Sequence, residues 1–204
     1  MLRISLLCGA IAIFWSLAAA DAAEALKLGG QAPDWSGLKG TDGKAYSLAD
    51  FEDKEVLVVV FTCNSCGYAQ DYEDRILKLA KSHCGESQKA ALVAINPNKV
   101  KEDLPEEMQK RAKEKGYTFP YVWDETQATA KAHGARWTPE FYVFDKDRAL
   151  IYRGPLDDNN DADKAKINYV AEAIEAVLAG KPPKVQEEPA RGCAVRYERP
   201  KRTR

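Results

Sequence analysis

The chain has 204 residues, enough for one well-packed domain with extended ends and too short for two ordinary domains. Its 45% hydrophobic and 30% charged residues are a globular composition, and 30 basic and 31 acidic side chains leave a net charge of -1. That balance argues against a nucleic-acid-binding protein. The two histidines nearly exclude a histidine-rich metal site, whereas the five cysteines leave thiol chemistry open.

The first segment, residues 1–20, has the parts of a secretory signal peptide: one basic residue, an apolar stretch over residues 4–17 and three closing alanines. We expect cleavage near Ala20 and a periplasmic or extracellular protein without lasting membrane contact. The alternative is an uncleaved anchor, but residues 4–20 fall at the short end of the roughly 17–25 residues that a spanning helix needs. Cleavage would remove Cys8. Four cysteines would then remain in an oxidising compartment: Cys63, Cys66, Cys84 and Cys193.

The next elements are a hairpin and the start of a sheet. The pair Asp42-Gly43 is a strong signal for a hairpin turn over residues 41–44. Residues 56–61 and 91–95 are β-branched, apolar runs without alternation, which is typical of central strands covered on both faces. Between these runs a helix has one apolar and one charged face. Its apolar positions are Ala69, Tyr72, Ile76 and Leu79, and its expected outward positions are Asp71, Glu73, Asp74 and Lys78.

Helices and strands continue to alternate in the second half, and glycines follow the predicted helices at the position that favours a helix end. The predicted elements are a helix over residues 105–115, an extended segment over 119–123, a shorter helix over 125–133, a hairpin of strands 141–144 and 150–152, and a last helix over 167–178.

This order predicts the fold class. Strand–helix–strand crossovers followed by a terminal hairpin and helix indicate an α/β domain with a central mixed β-sheet and helices on both faces. We expect the domain to span residues 30–181, with an N-terminal β-hairpin. Residues 182–204 form a C-terminal extension, an extended basic tail that contains Cys193.

The candidate chemistry lies where the first buried strand ends. Cys63 and Cys66 are three residues apart, between that strand and the helix that follows. A helix N-terminus presents unpaired N–H groups and a partial positive charge, which stabilise a thiolate, the reactive form of cysteine. We predict that Cys63 attacks a disulfide and that Cys66, one turn into the helix, resolves the mixed disulfide.

Three other readings of the cysteine pair compete. It could be half of a zinc site, but the chain has no second pair, and His83 and His133 lack the spacing of a zinc finger. It could be a structural disulfide, although so short a loop would stabilise the fold weakly. It could also arise by chance. The strand–CxxC–helix context favours redox activity, and we expect no metal and no cofactor.

With these motifs the sequence resembles the thioredoxin fold, and more closely the thioredoxin-like branch of the peroxiredoxin (alkyl hydroperoxide reductase/thiol-specific antioxidant) superfamily, in an exported, CxxC-containing subgroup. The resemblance covers roughly residues 30–197. The matching segments are Val58–Cys66, Ala94-Ile95-Asn96, Phe119-Pro120-Tyr121, Asp124–Gln127, Trp137–Asp145, Gly154–Asn159 and Gly192–Tyr197.

The resemblance implies a role for Thr138 and Pro139, because Pro139, preceded by Thr138, matches the cis-proline that faces the CxxC motif in thioredoxin-like folds. Their backbone would position a substrate strand. One departure concerns peroxide chemistry: peroxiredoxins carry threonine or serine three residues before the peroxidatic cysteine, and here that position is Cys63, with Thr62 one residue earlier. This departure argues against efficient peroxide reduction.

The remaining cysteines stay open at this point. Cys193 lies among basic residues that favour a thiolate, so it is either a third redox thiol or the partner of Cys84 in a structural bridge. Cys84 falls at the predicted end of a helix, where a structural role is the simpler interpretation.

The sequence therefore predicts an exported thiol–disulfide oxidoreductase that uses a Cys63–Cys66 dithiol to reduce or exchange protein disulfides. Its expected partners are a disulfide-bonded protein substrate and an electron-donor redox protein. A thiol peroxidase (antioxidant) is the second hypothesis, with either cysteine forming a sulfenic acid that the other resolves. A non-catalytic binding module that stores a static disulfide is the third.

Overall fold

A computed structural model describes residues 26–199 and is built around one seven-stranded mixed sheet. The strands lie in the spatial order β2-β1-β5-β4-β3-β7-β8, and a separate two-stranded sheet pairs β6 with β9. Their bounds are β1 Leu38–Gly40, β2 Ala45–Tyr46, β3 Val56–Phe61, β4 Ala90–Asn96, β5 Tyr121–Trp123, β6 Trp137–Thr138, β7 Glu140–Phe144, β8 Leu150–Gly154 and β9 Cys193–Ala194.

The centre of the sheet consists of the two apolar runs. Every residue of β3 and β4 is buried, and the two strands pair in parallel. Alternate side chains of β3 enter different cores: Val58 packs on one face of the sheet and Val59 on the other. Strands that are apolar on both faces require helices or loops on both faces, and this is the observed arrangement.

Within residues 26–199, four α-helices cover the sheet. The first helix packs on the same core as Val58 through its buried side chains Tyr72, Ile76 and Leu79. The second helix begins at Pro105 and ends before Gly116, whose φ of 67° is the left-handed conformation that glycine adopts readily. The bounds are α1 Gly67–His83, α2 Pro105–Lys115, α3 Ala128–His133 and α4 Tyr169–Leu178.

The predicted α/β fold is thus confirmed, including the hairpin of β1 and β2, in which Gly43 turns the chain with a φ of 85°. Some local expectations are wrong. Helix α3 begins at Ala128 rather than at residue 125, and Ile167 precedes α4 and is exposed. Glu73, expected to face outward, is buried, because Arg111 and the Tyr117 hydroxyl donate to its carboxylate.

The segment after α4 returns across the domain in an extended form. Glu187 forms a bridge with Arg153 of β8, and further along β9 pairs with β6. The predicted signal peptide lies outside the described residues. Within residues 26–199, no helix is both long enough and apolar enough to cross a membrane.

Candidate active site

The two cysteines of the CxxC motif lie between β3 and α1. Strand β3 ends at Phe61, and Cys66 is the N-cap of α1, with its sulfur accepting from the Ala69 N–H at 3.4 Å. Cys66 therefore precedes the first helical turn, whereas the sequence suggested a position inside it. As the N-cap, Cys66 is the closer of the two cysteines to the free N–H groups of the helix.

Thr138 contacts both sulfurs from the opposite side. Cys63 Sγ lies 3.3 Å from Thr138 Oγ1, and the Cys66 thiol donates to the Thr138 carbonyl oxygen at 3.1 Å. The peptide bond between Thr138 and Pro139 is cis. The structure thus brings together Cys63, Cys66, Thr138 and Pro139, the four residues that the sequence nominated.

The two sulfurs differ in their electrostatic surroundings. The pKa of Cys66 is lowered, mainly because the Cys63 thiol donates to its sulfur; burial opposes this, and Cys193 and the Ala69 N–H add to it. The pKa of Cys63 is raised by that same donated hydrogen bond, by burial and by the negative charge of Asp103. Of the two thiols, Cys66 therefore ionises more readily, by losing the proton that it donates to the Thr138 carbonyl oxygen, whereas the sequence led us to expect the thiolate at Cys63.

A buried carboxylate organises the loop between the two cysteines. Asp103 Oδ1 accepts from the backbone N–H groups of Asn64 and Ser65 at 2.6 and 3.1 Å, and from Asn96 Nδ2 at 3.2 Å. Its Oδ2 accepts from the Ser65 hydroxyl at 2.6 Å. Sequence reasoning missed Asp103, because it lies about 40 residues from the motif in a short charged stretch with no recognisable spacing.

The hydroxyl of Ser65 has a choice of two acceptors. Its oxygen is 2.6 Å from Asp103 Oδ2 and 3.7 Å from Cys63 Sγ, and a hydroxyl has a single proton to donate. The short bond to the carboxylate therefore takes the proton that would otherwise stabilise a Cys63 thiolate. Asp103 thus opposes ionisation of Cys63 both by its charge and by holding this hydroxyl.

The other two cysteines lie at opposite ends of α1. Cys193 is in β9, directly opposite Thr138 of β6 and beside Cys66, at the start of α1. Cys84 is the C-cap of α1, after 17 helical residues, so about 25 Å of helix separates it from the site. The structure does not bring Cys84 and Cys193 together, and of the two alternatives left open by the sequence it favours Cys193 as a third thiol of the site.

The fold and these contacts define a thiol-based redox protein with a thioredoxin-like fold. The Redoxin family model matches residues 27–170, most of the chain, and the protein belongs to this family. No curated protein matches the sequence significantly. Among the residues described here, no cluster of three or more His, Cys, Asp or Glu side chains could hold a metal ion.

Solved structures show the same architecture. An uncharacterised conserved protein from Geobacillus kaustophilus is 36% identical, with a TM-score of 0.79 over 85% of this chain and 93% of that one. A hypothetical protein from Sinorhizobium meliloti is 32% identical, with a TM-score of 0.79 over 86% and 97% of the two chains. The thioredoxin domain of a thiol-disulfide oxidoreductase from Bacteroides vulgatus shares the fold at 17% identity, with a TM-score of 0.54 over 63% and 89%.

Proposed function

We propose that this protein is an exported thiol–disulfide oxidoreductase whose Cys63–Cys66 dithiol reduces or exchanges disulfides in other proteins. The observation that carries the proposal is that both sulfurs converge on Thr138, at 3.3 Å from its hydroxyl and 3.1 Å from its carbonyl oxygen. Two sulfurs held this close to the same residue and packed in one buried cluster are placed to form and break a disulfide without large backbone movement.

The exchange balances within the pair. A thiolate of the pair attacks one sulfur of the substrate disulfide, a mixed disulfide forms, and the other substrate sulfur leaves as a thiol after taking up a proton. The second cysteine then attacks the mixed disulfide, which releases the reduced substrate and leaves Cys63–Cys66 oxidised. A thiol-containing electron donor must reduce that disulfide before the next cycle.

We expect Cys63→Ser and Cys66→Ser each to abolish the reduction of insulin disulfides by dithiothreitol, because each removes one of the two sulfurs that the cycle needs. The measurement is the rate of insulin precipitation above the dithiothreitol background. Cys84→Ser is the matched control, since its sulfur lies at the other end of α1, and it should keep the wild-type rate.

Activity of both serine variants at the wild-type rate would contradict the proposal. A pair that alkylates identically in reduced and oxidised samples would instead support a static disulfide in a binding module. For the natural partners, we expect a Cys63→Ser/Cys193→Ser double variant, which keeps Cys66 and removes both sulfurs that could resolve a mixed disulfide, to accumulate mixed disulfides that mass spectrometry can identify.

Export is part of this proposal and rests on the features of residues 1–20. The mass of the protein recovered from the periplasm or the medium should correspond to cleavage near Ala20. A protein that retains its first twenty residues in the cell would contradict export without affecting the thiol chemistry.

A thiol peroxidase is the second candidate, because the hydrogen bonds received by Cys66 lower its pKa and a peroxidatic cysteine must react as the thiolate. Hydrogen peroxide consumption with dithiothreitol as the donor separates the two activities. Consumption that is lost in Cys66→Ser, combined with no insulin reduction by the wild type, would favour the peroxidase.

A further inference from the structure

The C-terminal tail occupies the edge of β6 where a substrate strand is expected to bind. Strand β9 pairs antiparallel with β6, so that Cys193 lies opposite Thr138 and Ala194 opposite Trp137. The Thr138 hydroxyl also donates to the Cys193 carbonyl oxygen at 3.3 Å. The tail therefore makes, within the same chain, the backbone contacts that would recognise an extended substrate.

Gly192 allows the tail to approach this closely. A Cβ atom at this position would lie 2.2 Å from the Thr138 carbonyl oxygen and 2.7 Å from the Thr138 carbonyl carbon. Both are backbone atoms, which cannot turn aside as a flexible side chain can. A side chain at position 192 would therefore push β9 away from β6.

Hydrogen bonds after Cys193 hold the tail in register. The Val195 N–H donates to the Arg136 carbonyl oxygen at 2.9 Å, and the Arg196 N–H donates to Asn98 Oδ1 at 2.9 Å. The Tyr197 hydroxyl donates to the Ala135 carbonyl oxygen at 2.7 Å. These anchors come from two separate segments of the domain, residues 135–136 and residue 98, so the position of Cys193 is set by the domain rather than by the tail alone.

Three sulfurs meet at the start of α1. Cys66 Sγ lies 3.1 Å from the Thr138 carbonyl oxygen, and Cys193 pairs with Thr138 from the other strand, which places Cys193 beside Cys66. Burial and the neighbouring Cys66 raise the pKa of Cys193, and the backbone N–H groups of Tyr68 and Gly67 oppose this shift. Cys63 and Cys66 are only 3% and 1% exposed, whereas Cys193 is exposed. While β9 is in place, an external thiol or disulfide therefore reaches Cys193 more readily than it reaches the buried pair.

We propose that Cys193 is a third redox residue that relays exchange between the buried Cys63–Cys66 pair and external thiols or disulfides through a Cys66–Cys193 disulfide. The inference rests on the proposed function and deepens it, because it identifies the entry point to the same site. Residues 171–204, and with them Cys193, lie outside the segment matched by the family model.

The relay balances atom by atom. The Cys193 thiol loses its proton and attacks one sulfur of an external disulfide, which forms a mixed disulfide and releases one thiolate. The Cys66 thiolate then attacks the Cys193 sulfur, so that the Cys66–Cys193 bond forms and the second external sulfur leaves. Cys63 next attacks Cys66: the Cys63–Cys66 disulfide forms and Cys193 leaves as a thiolate. The net change is one dithiol oxidised and one external disulfide reduced, with the two released protons taken up by the two external thiolates.

The test is to stop the relay halfway. Cys63→Ser removes the last step, so treatment of this reduced variant with glutathione disulfide should accumulate a Cys66–Cys193 cross-link, detected by peptide mass spectrometry without reduction. Rates of oxidation of the buried pair by glutathione disulfide should fall about tenfold in Cys193→Ser, which removes the accessible sulfur. They should fall similarly in Gly192→Ala, which keeps that sulfur and displaces β9.

Controls and contrary outcomes separate this inference from the proposed function. Gly85→Ala is the matched glycine control, because a Cβ there meets only the Gln88 side chain at 3.7 Å, an ordinary contact. If Cys193→Ser and Gly192→Ala react as fast as the wild type or faster, the tail is only a cover and the relay is wrong, although loss of insulin reduction in Cys63→Ser and Cys66→Ser would still support the oxidoreductase. Absence of the cross-link in Cys63→Ser also overturns the relay.

Discussion

Asp103→Asn is expected to make Cys63 react about tenfold faster with iodoacetamide at neutral pH. The substitution removes a negative charge that raises the pKa of Cys63, after the larger effects of its hydrogen bond to Cys66 and of burial. An asparagine oxygen in the place of Oδ1 can still accept from Asn64, Ser65 and Asn96, and its amide can donate to the Ser65 oxygen. The Ser65 proton is then free to turn toward Cys63 Sγ.

The alkylation rate should be measured in a Cys66→Ser background, so that peptide mass spectrometry follows Cys63 without its neighbour. Glu102→Gln is the matched control, because it removes an adjacent and exposed negative charge that makes no side-chain bond to the site. An Asp103→Asn rate equal to that of the Glu102→Gln control would show that the buried carboxylate does not govern Cys63.

Asp103→Ala separates the electrostatic role from the structural one. It leaves four donors at a fully buried position without their acceptor, and we expect a loss of about 4 kcal/mol in the free energy of unfolding. Asp103→Asn keeps three of these bonds and should cost about 1 kcal/mol. Urea denaturation measures the free energy of unfolding of both variants. Equal losses in the two variants would contradict the separation of the structural role of Asp103 from its electrostatic role.

The elements that the sequence predicted well are those whose signals are local. The apolar runs of β3 and β4 needed no partner to be recognised, because a segment without polar side chains has to be buried on both faces. The CxxC motif was equally visible, since its spacing and its place before a helix lie within a few residues of each other. The role of Thr138 and Pro139 could be predicted only from the family resemblance, because no local sequence signal marks them.

The features that escaped prediction depend on contacts between distant segments. Glu73 lies on the charged side of a helical pattern, and its burial is favourable because Arg111 and Lys115 of α2 and the Tyr117 hydroxyl contact its carboxylate. The contacts of Asp103 with the CxxC loop and the pairing of β9 with β6 were missed for the same reason. Each joins segments that are far apart in the sequence and meet only in the folded domain. Cys66 was misplaced by a few residues, which is the ordinary uncertainty of a helix start. The thiolate is favoured at Cys66 mainly because Cys63 donates to its sulfur, and the spacing of the motif does not fix that direction.

Acidification should destabilise the protein through His133. This side chain is fully buried, and its Nδ1 is 2.8 Å from the Thr129 carbonyl oxygen, which can only accept; Nδ1 therefore carries the proton of the neutral ring. Nε2 has no hydrogen-bond partner among the described residues and lies among the rings of Phe61, Tyr142 and Phe144. A second proton would place a charge in apolar surroundings, and burial accordingly lowers the pKa of His133 to about 4.

The sign of the effect follows from this lowered pKa. The folded state holds the imidazole neutral down to about pH 4, whereas the unfolded chain binds a proton near pH 6.5. The stability that depends on the neutral ring is therefore complete above pH 6.5, is lost as the pH falls toward 4, and amounts to about 3 kcal/mol over that window. Buried Asp124 and Glu140, whose pKa values are raised mainly by burial, act in the opposite direction.

Comparison of the wild type with His133→Leu isolates the imidazole from these carboxylates. Urea denaturation at several pH values between 4 and 7 should show the wild type losing more stability than the variant on acidification, with the difference growing steadily below pH 6.5. His83→Leu is the matched control for removing an imidazole, because His83 is the only other histidine and lies at the surface end of α1 beside Glu175. Parallel curves for the wild type and His133→Leu would mean that the folded protein accommodates a protonated His133, and the interpretation of its buried ring as a fixed neutral group would have to be abandoned.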